Sequence, residues 1–141
     1  MNILVIDAQG GGIGKQLVAS IKENFPKAYI TAVGTNIAAT TAMLKAGADN
    51  GATGENSVIV GCRKADIIVG PLGIVIADSM NGEVTPRMAL AVAQSNAKRI
   101  LIPFSHCDNI IVGAAKLNTS SLVQGAIEEI KLQKQFLNTE V

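Results

Sequence analysis

At 141 residues, with 48% apolar and 16% charged side chains, the chain is long enough for one hydrophobic core and too apolar for disorder. A net charge of +1 with one Tyr, three Phe and no Trp leaves neither a field to steer a polyanion nor a platform to stack bases, so no nucleic-acid partner is expected. No basic segment leads into Met1–Ile6 and no apolar run is long enough for a bilayer span, which predicts a cytoplasmic protein without a membrane partner. Cys62 and Cys107 are then expected as reduced thiols.

In chain order, Asn2–Ile6 is a short aliphatic run of the kind buried on both faces of a parallel sheet. Asp7 ends it and a glycine stretch follows. Ile13, Leu17, Ile21 and Phe25 recur at a four-residue step, predicting a helix that Pro26 closes. Ala28–Val33 is the second strand. Asn36 is placed to cap a helix whose apolar side includes Ile37, Met43 and Leu44 and which stops at Gly47. Asp49–Gly54 reads as turn, Glu55–Lys64 as a short helix, and Asp66–Val69 as a third strand broken by Gly70-Pro71. Gly73–Asp78 is open between strand and helical turn. Thr85-Pro86 starts a helix running to about Asn96, with Thr as N-cap and Pro at the first helical position. Arg99–Pro103 is a fourth strand, Asn109–Val112 a possible fifth, and Ser120–Leu137 an amphipathic helix with Leu122, Val123, Ala126, Ile127 and Ile130 inward.

Strands alternating with helices predict a three-layer Rossmann-like α/β domain, with a mostly parallel sheet of about five strands and all of residues 1–141 in one unit. Within it, Asp7-Ala8-Gln9-Gly10-Gly11-Gly12-Ile13-Gly14-Lys15 lies between the first strand and the first helix. Glycines there bring backbone N–H groups close to a ligand, the helix N-terminus favours phosphate, and Lys15 can add a charged contact. Gln9, Gly10, Gly11, Gly12, Ile13, Gly14 and Lys15 are therefore the expected binding residues. A tight turn in which Gly12 and Gly14 merely let the helix approach the sheet is the plainer alternative. Asp7 is expected to orient the turn by accepting its N–H groups.

Gly12-Ile13-Gly14 resembles the turn of the short-chain dehydrogenases, although Ala8 stands where that pattern has its first glycine. Gly11-Gly12-Ile13-Gly14-Lys15 is also similar to the phosphate loop of ParA/MinD-type ATPases. Gln16, however, replaces the hydroxyl residue that binds magnesium there, and Gly10 the signature lysine. Over nearly its full length the chain resembles a small bacterial family of Rossmann-like proteins, a domain of unknown function. That likeness is carried by the Asp7–Lys15 turn, Gly70-Pro71-Leu72-Gly73, Gly82-Glu83-Val84-Thr85-Pro86 and Ile100-Leu101-Ile102-Pro103. It implies the fold and no chemistry.

The second strand ends at Gly34-Thr35-Asn36 without the acid that holds the ribose 2′-hydroxyl in the usual NAD site. Thr35 and Asn36 can donate to a 2′-phosphate, which favours NADP over NAD; a mononucleotide or another phosphorylated metabolite fits equally, and so does a simple loop and cap. Tyr29 lies in a strand and is not followed by the lysine of a Tyr-x-x-x-Lys pair, so short-chain dehydrogenase chemistry is not expected.

Polar residues at the remaining strand ends are Asp78, Ser79 and Glu83, then Ser105-His106-Cys107-Asp108-Asn109. Asp78 and His106 are the catalytic candidates, His106 as a general base; Cys107 offers a thiolate or simply a small buried side chain. Adjacent side chains diverge, so no metal site is expected. Gly82–Pro86 can form a second anion-binding helix start with Thr85 donating, or ordinary capping. The leading expectation is a module for a nucleotide or phosphorylated small molecule. The alternatives are a nucleotide-linked enzyme and a homo-oligomeric scaffold; a homodimer suits so small a domain.

Overall fold

Alternation along the first strand, β1 (Asn2–Asp7), sets the layers: Ile3 and Val5 enter one core, Leu4 and Ile6 the other, and all four are buried. The computed structural model describes residues 1–103, 109–114 and 117–139. Its elements continue as α1 (Gly12–Asn24), β2 (Tyr29–Gly34), α2 (Ile37–Lys45), β3 (Asn50–Thr53), α3 (Glu55–Lys64), β4 (Ile67–Pro71), a 3₁₀ turn (Leu72–Val75), α4 (Pro86–Gln94), β5 (Lys98–Ile102) and α5 (Thr119–Thr139). All neighbouring strands pair in parallel, in the order β3-β2-β1-β4-β5. The chain thus has the expected Rossmann-like three-layer architecture. Its order reverses between β1 and β4, which opens a crevice at their carboxyl ends.

One core holds Leu17, Val18 and Ile21 of α1, Met43 of α2, and Val123, Ala126, Ile127 and Ile130 of α5 against Ile30, Ile67, Val69 and Ile102. The other holds Val58 and Cys62 of α3 and Met88, Ala89 and Val92 of α4 against Leu4, Ile6, Val33 and Ile68. Burial pushes the Cys62 thiol up to about 11, so it is a core side chain with little thiolate.

Several boundaries differ from the sequence reading. Asn50–Thr53 is an edge strand, not a turn. It pairs with β2 in the register Thr31↔Asn50 to Gly34↔Thr53, and Leu44 of α2 lies directly over Gly51. Its polar, small residues carry no strand signal of their own; backbone pairing to a preformed neighbour makes the strand. Asn109–Val112 is not a strand, and its Ile110 and Val112 are exposed. Gly70-Pro71 does not break β4, because both residues stay in register with Leu101 and Ile102, and a Cβ on Gly70 would overlap the Ile6 carbonyl. In α2, Met43 faces inward as expected, but Ile37 is largely exposed and Leu44 partly so, the buried side being Ala39, Thr40 and Met43. Asn36 does cap α2, accepting from the Ala39 amide at 2.9 Å, and Thr85 caps α4.

Asp49 ties the β3 edge to the rest. Its carboxylate accepts from the Ile30 amide at 2.8 Å and from Lys22 Nζ at 2.6 Å, and Lys22 also reaches the Ala28 carbonyl. These donors, the Ile30 amide foremost, hold its acid below the ordinary carboxylate range. A depressed pKa stabilises the fold above the ordinary range, and that contribution is lost as pH falls through the depressed value. The pair is partly solvated, so Asp49→Ala should cost only about 1 kcal/mol at neutral pH. Urea melts across the acid range should show a shallower acid limb for the variant than for the wild type.

Candidate functional site

The turn after β1 is built by a carboxylate rather than by a neighbouring cap. Gly11, at the N-cap of α1, has φ 71° and no side chain to offer. Asp7 instead reaches forward seven residues: one oxygen accepts from the Ala8 amide at 2.8 Å and the other from the Gly14 amide at 2.7 Å. Asp7 is 5% exposed, and burial raises its pKa against the pull of those amides, with the nearby Glu83 charge adding to the rise. The expected orienting role is therefore the one the geometry has.

The glycines divide into two kinds. A Cβ on Gly14 would lie 2.5 Å from Met43 Sδ and 2.8 Å from Asp7 Cβ, and one on Gly11 would lie 2.8 Å from the Ala39 backbone. These two serve packing. Beside Gly10 and Gly12 a Cβ would meet nothing within 4 Å, and among the described residues their amides have no acceptor. No acidic residue stands in the first turn of α1, Ile13 packs half-buried against the core, and Lys15 is exposed.

Opposite the turn lies a carboxylate that sequence reasoning placed at a strand end but did not connect to it. Glu83 Oε1 accepts from the Gln9 amide at 3.0 Å, Thr35 Oγ1 at 2.8 Å and Asn36 Nδ2 at 2.6 Å. The Asn36 amide also donates to the Gln9 carbonyl. Burial opposes ionisation of Glu83, but these donors outweigh it and hold the acid below its ordinary value. Gln9, Thr35 and Asn36 thus do come together with the glycine turn, yet around an acid of the chain itself. The donors read from sequence as free for a 2′-phosphate are committed to Glu83. One signal for this was available: the long connection between β4 and α4 contains Asn81-Gly82, a turn pair that returns the chain just before Glu83.

That connection is held in an unusual backbone course. Asp78, Met80 and Asn81 have φ of 62°, 55° and 57°, with Gly82 at 84°. Met80 is buried in the second core, and Ser79 Oγ donates to the Gly73 carbonyl at 2.6 Å. Asp78 is exposed; its backbone bonds to Val84 and Gly82 close the loop, and its side chain has no partner among the described residues. Thr85 is a structural cap: its hydroxyl accepts from the Met88 amide and donates to Glu55 Oε1 at 2.7 Å. His106 and Cys107, with Ser105 and Asp108, lie outside the described residues. Surface grooves of about 470 and 400 Å³ lie elsewhere, between α3 and α4 and between α3 and the β2 side of the sheet. No residue of the turn Gln9–Lys15 lines either groove.

Among the described residues there is no cluster of three His, Cys, Asp or Glu placed to hold a metal, and no helix long and apolar enough to cross a membrane.

A family model described as a domain of unknown function, DUF3842, matches residues 2–135. The chain belongs to the DUF3842 family. The likeness to short-chain dehydrogenases is by contrast confined to Gly12-Ile13-Gly14, and the family match does not extend it. No curated protein matches this DUF3842 chain. Among solved structures it is similar to a dodecameric FMN-dependent Ubix-like decarboxylase from Escherichia coli O157:H7, at 17% identity and a TM-score of 0.49, over 95% of this chain and 76% of that one.

Proposed function

We propose that this DUF3842 protein binds a nucleotide or another phosphorylated small molecule on the turn Gly10–Lys15, as a binding module to which no reaction is assigned. The observation that carries the reading is the pair of amides at Gly10 and Gly12. They have no acceptor among the described residues, have open space beside them, and stand at the positive end of the thirteen-residue α1. Asp7 meanwhile takes the Gly14 amide from below, which holds the turn's shape without covering its outer face. Lys15, exposed in the first turn, is positioned to supply a countercharge. The crevice between β1 and β4 is where open parallel sheets of this order collect ligands.

Isothermal titration and thermal-shift measurements with pyrophosphate, ADP, ATP, NAD and NADP test the reading. Because an added Cβ at Gly12 meets no atom, Gly12→Asp should fold normally by circular dichroism while placing a carboxylate where the anion would sit. Binding should weaken by about 30-fold or more, the equivalent of roughly 2 kcal/mol of lost charge-assisted hydrogen bonding. Unchanged affinity in Gly12→Asp, or no response to any of these ligands at millimolar concentration, would overturn it.

A further inference from the structure

We infer that Glu83 is the ribose-reading residue of this site, selecting ligands with a free 2′,3′-diol and rejecting those with a 2′-phosphate. The inference rests on the phosphate-turn reading above and names the ligand class more narrowly. When phosphates sit on the first turn of such a sheet, the ribose falls over the end of the second strand, where an acid at that strand's tip usually accepts its hydroxyls. Here the tip carries Thr35 and Asn36, and the acid arrives from an element 48 residues further on. Glu83 bridges the two strand ends, bonded at once to Gln9 after β1 and to Thr35 and Asn36 after β2.

Two details make it an acceptor rather than a mere strap. All three donors converge on Oε1, and Oε2 takes no hydrogen bond among the described residues, so one oxygen is anchored and the other has its lone pairs available. The carboxylate is also held ionised by its donors, which makes it a strong acceptor and a repulsive neighbour for a second phosphate. Its position is enforced from behind. Non-glycine residues at positive φ are costly, and here Asp78, Met80 and Asn81 are held so by the buried Met80 side chain and the Ser79–Gly73 bond. The side-chain donors of Thr35 and Asn36, which would serve a 2′-phosphate, are spent on Glu83 and the Gln9 carbonyl.

Titrations of the full chain with pyrophosphate, AMP, ADP, 2′-deoxy-ADP and 2′,5′-ADP test this. ADP should bind about tenfold more tightly than 2′-deoxy-ADP, and AMP, which shares its single 5′-phosphate, about tenfold more tightly than 2′,5′-ADP. Glu83→Gln keeps the anchoring oxygen and removes the charge and the second acceptor, so both ratios should fall to within about twofold of one. Glu83→Asp, charged but shorter, should lower the preference over 2′-deoxy-ADP while keeping part of the discrimination against 2′,5′-ADP. Circular dichroism and the thermal midpoint establish that each variant is folded. Binding of pyrophosphate and ADP without discrimination, or ratios unchanged in Glu83→Gln, overturns the assignment of Glu83 and leaves the phosphate turn standing. Equal tightening of ADP and 2′-deoxy-ADP in Glu83→Gln likewise overturns it, since the carboxylate would then only occupy or repel. No binding of pyrophosphate or ADP overturns both readings.

Discussion

Asp7→Ala is expected to lower the free energy of unfolding by about 3 kcal/mol, read from urea denaturation at neutral pH. The carboxylate is almost fully buried and accepts from the amides of Ala8 and Gly14, and its removal strands both donors where water does not replace it. Each stranded buried amide costs about 1–3 kcal/mol, offset in part by relief from burying a charge. The pH dependence separates this residue from Asp49. Burial raises the Asp7 pKa in the fold, so its contribution is complete below the ordinary carboxylate range and declines as pH rises through the raised value. The stability gap between wild type and Asp7→Ala should therefore be wider near pH 4 than near pH 8. A gap that grows with pH would mean that hydrogen bonds to the ionised form, not desolvation, dominate at this site.

Gly14→Ala should destabilise by about 2 kcal/mol even though alanine is the better helix former. The new methyl would sit 2.5 Å from Met43 Sδ and 2.8 Å from Asp7 Cβ. Met43 is fully buried, and Asp7 cannot yield without releasing the Gly14 and Ala8 amides. Gly12→Ala, two residues earlier with nothing within 4 Å of its Cβ, should be neutral or gain up to about 1 kcal/mol. Shortening the obstructing side chain in Gly14→Ala/Met43→Ala should cost less than the sum of the two single changes. Full additivity would place the strain elsewhere. The contrast between Gly12 and Gly14 also separates the two meanings of a glycine-rich turn, one glycine standing beside open space and the other letting a helix sit close to a strand.

The two stretches that misled, Asn50–Thr53 and Asn109–Val112, did so for opposite reasons. The first has no strand-like composition and becomes a strand because β2 offers it a free edge and Leu44 covers its Gly51. The second has three consecutive apolar residues, Ile110, Ile111 and Val112, yet Ile110 and Val112 remain exposed and no strand forms there. Pairing of edge strands is a property of the neighbour as much as of the segment.

Most of the helices and strands, the Asn36 and Thr85 caps and the setting of the glycine turn were legible in the sequence itself, because each depends on residues within a few positions of one another, and the alternation of those elements implied the parallel α/β architecture. Asp7's hold on the turn was legible for the same reason. Only tertiary structure decided which glycines are spacers and which leave room, since that depends on Met43 and Ala39 arriving from α2. It also decided what stands at the end of β2. Read along the chain, that position has two donors and no acid; in the fold an acid from the β4–α4 connection meets both donors, because parallel pairing puts the ends of β1, β2 and β4 on one side of the sheet with β4 next to β1.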